Sequence, residues 1–258
     1  MGSIIEVAEA SKGAKGQGKA RPFAPLPTTR YNVPMIGLMD VNNFFVSCER
    51  LFRTDLEKKP VAVLSSNDGC IVARSNEVKA MGVPMGIPLF QAKQLVDMSQ
   101  VTLFSSNFTL YRDISRRVME VLVSEIGECE QYSIDEAFFA LPPIDTVELA
   151  AIRTRIITKT GIPVSIGVAP TKTLAKVAAS QAKKDSGSSI VALADWQALA
   201  PEITTGDIWN LGGATERTLR EYGVQTAAEF MRLDRAWVAK TFGVSGCRLY
   251  DELHGGVA

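Results

Sequence analysis

The sequence predicts an α+β fold: a ferredoxin-like unit with an antiparallel-rich sheet, a small inserted segment, and a C-terminal all-helical part. Three observations lead to this prediction. From Met35 onward, with residues 45–101 set aside, apolar patterns follow the order strand, helix, strand, strand, helix, strand. That is the split βαβ order, with helices on one face of the sheet. The inserted segment carries short strands of its own, and after about residue 195 only short helices follow.

The strands are predicted from short apolar runs bounded by turn residues. The run "MIGLMDV" ends at Asp40, and the runs "ECEQY" and "AFFAL" form a hairpin through "SIDE". The other predicted strands are "PVAVLS" (60–65), "DGCIVARS" (68–75), "VTLFSSN" (101–107) and "PVSIGVA" (163–169).

The helices are predicted from apolar residues that recur every three or four positions. The three long ones cover 111–126, 147–160 and 171–184, with Thr171 as the N-cap of the last. A short helix over "NEVKAMG" ends at Gly82. Four further short helices are predicted in "DIWNLGGATERTLREYG", "TAAEFMRL", "RAWVAKTFG" and "GCRLYDELHGG".

Composition limits the class of protein. Apolar residues make up 46% and charged residues 22%, as in soluble globular proteins, and neither a membrane-spanning run nor an export signal is evident. Four cysteines without CxxC spacing and a single histidine argue against zinc and disulfides, which fits a cytoplasmic protein. The net charge of zero gives no sign of a nucleic-acid partner. Residues 1–34 are predicted to be a disordered basic tail, and Met35 is an alternative start of translation.

Three acids are candidates for chemistry. Asp40 ends the first strand, and Asp135 and Glu136 stand side by side inside an apolar run. The predicted topology brings these carboxylates together at a hairpin bend, where they repel one another unless cations neutralise them. Oxygen-only ligation favours Mg²⁺ or Mn²⁺, and a pair of such ions supports in-line attack on a phosphate. The alternative is that the acids are separately solvated or salt-bridged.

Four segments give the chain a specific resemblance. They are "DVNNFFVSCE" (40–49), "PVAVLSSNDGCIVARSNEVKAMGVPMG" (60–86), "YSIDEAF" (132–138) and "IGVAPTKTLAKVAASQAKK" (166–184). In residue identity and order these segments resemble the Y-family translesion DNA polymerases, most closely the bacterial group that acts in SOS mutagenesis. The resemblance extends from Met35 to about Gly255.

The resemblance implies a domain organisation. It assigns residues 35–44 and 101–195 to a catalytic palm, 45–100 to small fingers, and 196–258 to a thumb with a helix-hairpin-helix. It also implies that the C-terminal little-finger domain, a DNA-gripping part of the family, is absent, which would account for the low positive charge.

The resemblance gives roles at the catalytic centre. It makes Asp40, Asp135 and Glu136 the catalytic carboxylates, which with the Val41 carbonyl hold two Mg²⁺ ions, or Mn²⁺ in their place. Phe45 matches the steric gate that excludes a ribose 2′-hydroxyl group.

Further residues around the incoming nucleotide follow from the same resemblance. Phe44, beside Phe45, is more consistent with the core, since the two side chains point in opposite directions. Lys79, Arg74 and Lys183 match residues around the incoming nucleotide, the two lysines on its triphosphate.

The resemblance also implies DNA contacts. Ser133 lies near the primer end, and Thr171, Lys172 and Lys176 meet primer phosphates at the start of a helix. In the thumb, Asn210 and Gly212 belong to the hairpin "WNLGGATERTLREYG". Asn210 replaces a glycine common in the family, and asparagine tolerates positive φ better than most residues.

The function implied is DNA-directed DNA synthesis of the translesion type, with primer-template DNA and dNTPs as substrates. The resemblance leaves open whether a UmuD-like subunit and a RecA filament take part. Two alternatives remain. One is a truncated, weakly active or inactive DNA-binding fragment that acts through partner proteins. The other is a ferredoxin-like nucleotide cyclase, which the inserted and C-terminal segments do not support.

Overall fold

A five-stranded sheet lies at the centre of the computed structural model, which describes residues 35–141, 146–184, 190–192 and 196–256. The predicted tail at 1–34 and parts of the predicted palm at 142–145, 185–189 and 193–195 lie outside this range. The strands, numbered along the chain, are β1 (Ile36–Val41), β2 (Val61–Leu64), β3 (Ile71–Arg74), β4 (Thr102–Ser105), β5 (Cys129–Gln131), β6 (Glu136–Ala140), β7 (Val164–Ala169) and β8 (Ile190–Ala192).

Most α-helices of the described residues fall in the predicted segments, but the first and the third of them were not predicted. They are α1 (Phe44–Phe52), α2 (Asn76–Ala80), α3 (Leu89–Leu95), α4 (Phe108–Ile126), α5 (Thr146–Thr160), α6 (Lys172–Lys184), α7 (Gly213–Glu221), α8 (Ala227–Met231) and α9 (Arg235–Leu253). α9 combines two predicted helices across a kink at Gly243, which has φ 64°.

The central sheet has the order β5–β6–β1–β7–β8. β1 is antiparallel to both neighbours, β6 and β7, and β5 is antiparallel to β6, so the predicted ferredoxin-like sheet is confirmed. β8, which the sequence analysis did not predict, extends the sheet by pairing in parallel with β7.

The two faces of this sheet pack against different helices. One face packs on α4 and α5, the two helices of the predicted order, and residues such as Met39, Phe139 and Ile166 contribute to this core. The other face packs on α6 through Leu38 and Phe138. Neighbouring residues of a strand point to opposite faces, which is why Leu38 and Met39 enter different cores.

A smaller sheet lies beside the central one. Its order is β3–β2–β4, with β2 antiparallel to β3 and parallel to β4. The predicted palm–fingers boundary at 100/101 therefore falls directly before a strand that pairs with β2. The core of this small sheet includes Leu64, Ile71 and Val78.

The C-terminal helices continue the core of α6. Apolar residues of 196–256, among them Ile208, Leu219 and Phe230, belong to one cluster with Leu174 and Ala178 of α6. The predicted helical part is thus packed directly on the sheet-covering helix.

Gly167 sets the distance between β7 and α6. A Cβ atom there would lie 2.1 Å from the Ala179 nitrogen and 2.4 Å from the Ala175 oxygen, both backbone atoms of α6. Since backbone atoms cannot turn aside, Gly167→Ala is expected to lower the free energy of unfolding by about 1–3 kcal/mol. Urea titration followed by circular dichroism measures this change.

Gly69→Ala is the matched control for this experiment. A Cβ at Gly69 meets only the Ser65 hydroxyl oxygen, at 3.9 Å, so the change should stay within about 0.5 kcal/mol. Equal stabilities of the two variants would contradict the close packing of β7 on α6.

Candidate active site

The three predicted carboxylates lie at one end of the two central strands. Asp40 of β1 is directly opposite Glu136, the first residue of β6. Asp135 precedes Glu136 and lies in the β5–β6 connection. The backbone carbonyl of Asp135 accepts a hydrogen bond from the Val41 N–H (3.0 Å). Asp135 therefore lies at the bend of the hairpin, as predicted. Glu136, which was predicted at the same bend, is instead the first residue of strand β6.

Each carboxylate has a polar partner of its own. Lys183 Nζ lies 2.6 Å from Asp40 Oδ1, and Lys176 Nζ lies 3.1 Å from Glu136 Oε2. Asp135 Oδ1 accepts a hydrogen bond from the Ser133 hydroxyl group (2.7 Å). These partners offset part of the repulsion among the three acids.

Asp40 is the most deeply buried of the three acids, with 8% of its surface exposed. Burial raises the pKa of its carboxyl group to about 6, the ammonium group of Lys183 opposes this rise, and the negative charges of Glu136 and Asp135 add to it. A cation beside this end of the sheet would stabilise the charged form of Asp40.

The donor set has the chemistry of a hard-cation site. Carboxylate oxygens and the Val41 carbonyl are the ligand types that Mg²⁺ and Mn²⁺ prefer. As the side chains stand, no three His, Cys, Asp or Glu residues in the described part of the chain are close enough to enclose one ion. A bound cation would therefore compete with Lys183 and Lys176 for the carboxylates.

A cavity of about 290 Å³ opens beside the carboxylates, between the central and the small sheet. Seven of the predicted site residues line it: Val41, Phe44, Phe45, Arg74, Lys79, Asp135 and Lys183. The structure thus brings together residues from β1, α1, β3, α2, the hairpin and α6.

Three cations surround this cavity. Burial lowers the pKa of Lys79, and the positive charges of Lys183 and Arg74 lower it further. Lys79 Nζ donates to Asn43 Oδ1 (2.6 Å), and the Arg74 guanidinium group donates to the Val83 carbonyl. Cations that repel one another across a cavity favour an anionic ligand between them.

Aromatic packing fixes Phe45 at the edge of the cavity. Its ring stacks on that of Tyr111, with centroids 4.3 Å apart and an angle of 13° between the planes. The Tyr111 hydroxyl group in turn donates to Glu49 Oε1 (2.7 Å). Phe44 is only 4% exposed and lies in the main core, as predicted. The two phenylalanine rings do not point in opposite directions, however, because both contact Tyr111 and line the cavity.

The first residues of α6 already form hydrogen bonds and an ion pair within the protein. The Thr171 hydroxyl group accepts from the Leu174 N–H (3.3 Å), which confirms the predicted N-cap. Thr171 is only 2% exposed, and Glu252 of α9 accepts from the Thr173 N–H (2.9 Å). Lys172 pairs with Glu130. The phosphate contacts predicted for this helix start remain predictions. A phosphate group bound there would have to compete with the Glu252 carboxylate of α9.

The predicted hairpin of the helical part has the expected backbone. Asn210 has φ 67°, so asparagine does occupy a left-handed position, and Gly212 is the N-cap residue of α7. Both residues are exposed. Between a short 3₁₀ turn (Thr205–Asp207) and α7, they form the tip that would approach a ligand.

The sequence analysis missed four residues of this region: Asn43, Tyr111, Trp209 and Glu252. Asn43 stands beside Phe44 in "DVNNFF" and has φ 48°, a conformation for which asparagine is enriched. Trp209 lies next to Asn210, and its ring contacts Tyr132 and Phe138. Of the four, only Trp209 could have been noticed in the sequence, as an aromatic residue beside a predicted turn. Its position there does not indicate which residues it contacts.

Solved structures share this fold. A Y-family DNA polymerase chimera of Dbh and Dpo4 superposes with a TM-score of 0.73 at 24% identity, over 85% of this chain and 67% of the chimera. The central sheet, the small sheet and the C-terminal helices thus resemble the palm, the fingers and the thumb of this fold.

The curated relatives are more similar in sequence. ImpB of Salmonella typhimurium is 39% identical over 86% of this chain and 55% of its own length. UmuC of Salmonella typhimurium strain LT2 is 38% identical, with the same two shares. DNA polymerase IV 1 of Halalkalibacterium halodurans is 31% identical over 84% of this chain and 54% of its length.

The model of the impB/mucB/samB family matches residues 39–180. The chain belongs to this family, and the predicted resemblance to its UmuC group is confirmed. It spans about half the length of the curated relatives that it matches. None of the helices in the described ranges combines the length and hydropathy of a bilayer crossing.

The left-handed conformation of Asn210 leads to a stability test. Asn210→Ala is expected to lower the free energy of unfolding by about 1 kcal/mol. Alanine has a Cβ atom, which is strained in the left-handed conformation, and no side-chain group that could offset the strain by a local hydrogen bond. Asn210→Gly removes that cost and should keep wild-type stability within about 0.5 kcal/mol. Thermal unfolding by calorimetry compares them, and equal values for the alanine and glycine variants would contradict the assigned backbone.

Proposed function

We propose that this protein is a DNA-directed DNA polymerase of the translesion type, which adds a deoxynucleotide to a primer 3′-hydroxyl group and releases pyrophosphate. The observation that carries the proposal is a cavity lined by Asp135, three cations and the Phe45 ring. It lies beside the facing carboxylates of Asp40 and Glu136. The names of a relative, DNA polymerase IV 1, and of a structural neighbour, a Y-family DNA polymerase, agree with this activity.

The carboxylates would hold the metal. Asp40, Asp135 and Glu136, with the Val41 carbonyl, are the groups proposed to bind two Mg²⁺ ions, with Mn²⁺ as a substitute. Bound there, the ions would stabilise the charge that develops in an in-line displacement at phosphorus. Ser133, which donates a hydrogen bond to Asp135, is proposed to lie near the primer end.

The cations would bind the nucleotide. Lys79 of α2 and Lys183 of α6 both line the cavity and are proposed to contact the triphosphate, with Arg74 as a third lining cation. Charge-assisted contacts of this kind also stabilise the departing pyrophosphate. Phe45, held against Tyr111, would fill the space of a ribose 2′-hydroxyl group.

The DNA and the protein partners complete the proposal. Primer-template DNA would lie along α6 and the thumb hairpin, with Lys172, Thr171, Asn210 and Gly212 as candidate contacts. A UmuD-like subunit and a RecA filament are proposed partners, by analogy with the relative UmuC. A cytoplasmic site of action is consistent with the four cysteines, all of which are free thiols.

A second candidate function is a weakly active or inactive DNA-binding fragment that acts through partner proteins. The observation in its favour is that Lys172 and Lys176 are ion-paired with Glu130 and Glu136. Such pairing leaves less positive charge for a phosphate backbone. Primer extension separates the two functions: binding of primer-template DNA without any extension, at all enzyme concentrations, would favour the second.

Asp135→Ala tests the metal-binding assignment. Loss of one of three clustered carboxylates is expected to lower primer extension with Mg²⁺ and four dNTPs by at least about 100-fold, since the cation's charge is no longer balanced. Glu57→Ala, which removes an exposed acid of the fingers segment, is the control and should extend normally. Unchanged extension by Asp135→Ala would remove this residue from the site.

Phe45→Ala tests sugar selection. Opening the space that the ring occupies is expected to raise ribonucleotide incorporation relative to deoxynucleotide by at least about tenfold, a difference of about 1.4 kcal/mol between the two transition states. Phe45→Tyr keeps the ring and should retain discrimination. Single-nucleotide kinetics with dATP and ATP measure the ratio, and no rise in the alanine variant would eliminate the steric-gate role.

A further inference from the structure

Lys176 of α6 lies in a cage of two aromatic rings and one carboxylate. Its Nζ atom is 4.6 Å from the centre of the Tyr132 ring and 4.8 Å from that of Trp209, above both rings. On its remaining side Glu136 Oε2 is 3.1 Å away. Ring faces attract an ammonium group and a carboxylate fixes its direction, so these partners hold the side chain in one position.

The walls of the cage come from separate parts of the chain. Tyr132 belongs to the β5–β6 connection that carries Asp135, whereas Trp209 directly precedes Asn210 in the thumb hairpin. Their rings meet edge to face, with centroids 5.3 Å apart and an angle of 89°. Trp209 therefore connects the tip of the thumb with the carboxylate end of the central sheet.

Burial distinguishes Lys176 from its neighbour Lys172 on the same helix. The Lys176 and Glu136 side chains are 19% and 16% exposed. Those of Lys172 and its partner Glu130 are 35% and 60% exposed. A phosphate contact requires an accessible ammonium group, and Lys172 offers one more readily than Lys176 does.

We propose that Trp209 and Tyr132 hold Lys176 against Glu136 as a fixed counter-charge, which makes Lys176 a positioning residue for that carboxylate and not a contact to DNA phosphate. This inference rests on the proposed function in one respect, the metal-binding role of Glu136. It adds a link between the thumb and the metal site, because the position of Trp209 decides how firmly the counter-charge is held.

Binding of Mn²⁺ alone tests the counter-charge without DNA or turnover. Lys176→Met removes a positive charge that competes with the metal, so the dissociation constant for Mn²⁺, measured by electron paramagnetic resonance, is expected to fall about three- to tenfold. Lys176→Arg keeps the charge and the ring contacts and should stay within about twofold of the wild type. An unchanged or weaker affinity in Lys176→Met overturns the proposal.

The aromatic walls are tested in the same assay. Trp209→Leu should loosen Lys176 and lower the Mn²⁺ dissociation constant at least about twofold, whereas Trp209→Phe keeps a ring face and should match the wild type. Equal values for these two variants overturn the role of the ring. If Trp209→Leu fails to fold, as judged by thermal unfolding, the pair Tyr132→Leu and Tyr132→Phe decides by the same criterion.

The salt dependence of primer-template binding tests the other half of the proposal. For Lys176→Met, the slope of log affinity against log salt concentration should equal that of the wild type. A decrease of about 0.9 in its magnitude would make Lys176 a phosphate contact and overturn the proposal. If the wild type neither binds DNA nor extends primers, the proposed function fails, and the Mn²⁺ titrations still decide the inference.

Discussion

Two acids face each other across the central strands, and the rest of the site is arranged around this pair. Asp40 and Glu136 are directly opposite in the β1–β6 register, an arrangement of like charges that destabilises a sheet. Lys183 and Lys176 are seven residues apart on α6, so two helical turns place both ammonium groups over the same sheet face. The close approach of α6 at Gly167 brings them within ion-pair distance. The proposed metal-binding function would give these costly charges a role beyond the fold.

Much of the fold follows from local patterns. Apolar alternation and helical periodicity predicted the strand and helix order, and the ferredoxin-like order then placed Asp40 beside the hairpin. β8 escaped prediction because three residues are too few to show a period. The two helices predicted for the C-terminal segment are the two halves of α9, which the non-helical backbone of Gly243 separates. The packing of α6 on the second sheet face depends on Gly167, whose role is visible only once both elements are in place.

The sequence predicted those residues of the site that belong to family motifs. Family resemblance placed seven of the predicted residues around what is one cavity. Ion pairs such as Lys176–Glu136 were not predictable, because they join side chains that are forty residues apart in the sequence. The same holds for Trp209 and Glu252, whose partners lie on the palm. Three of the lysines predicted as phosphate contacts already form ion pairs with acids of the chain itself, which the count of charges could not reveal: Lys172, Lys176 and Lys183.

The apolar cluster beneath α6 has a consequence for how the chain unfolds. Ile208, Leu219 and Phe230 of the thumb share this cluster with Leu38 and Phe138 of the central sheet. Separation of the thumb at residue 196 would expose one entire face of α6 to water, at a cost that rises with the apolar area uncovered. The central sheet and the C-terminal helices are therefore expected to unfold as one cooperative unit, in which heat or denaturant melts the sheet and the hairpin in a single transition.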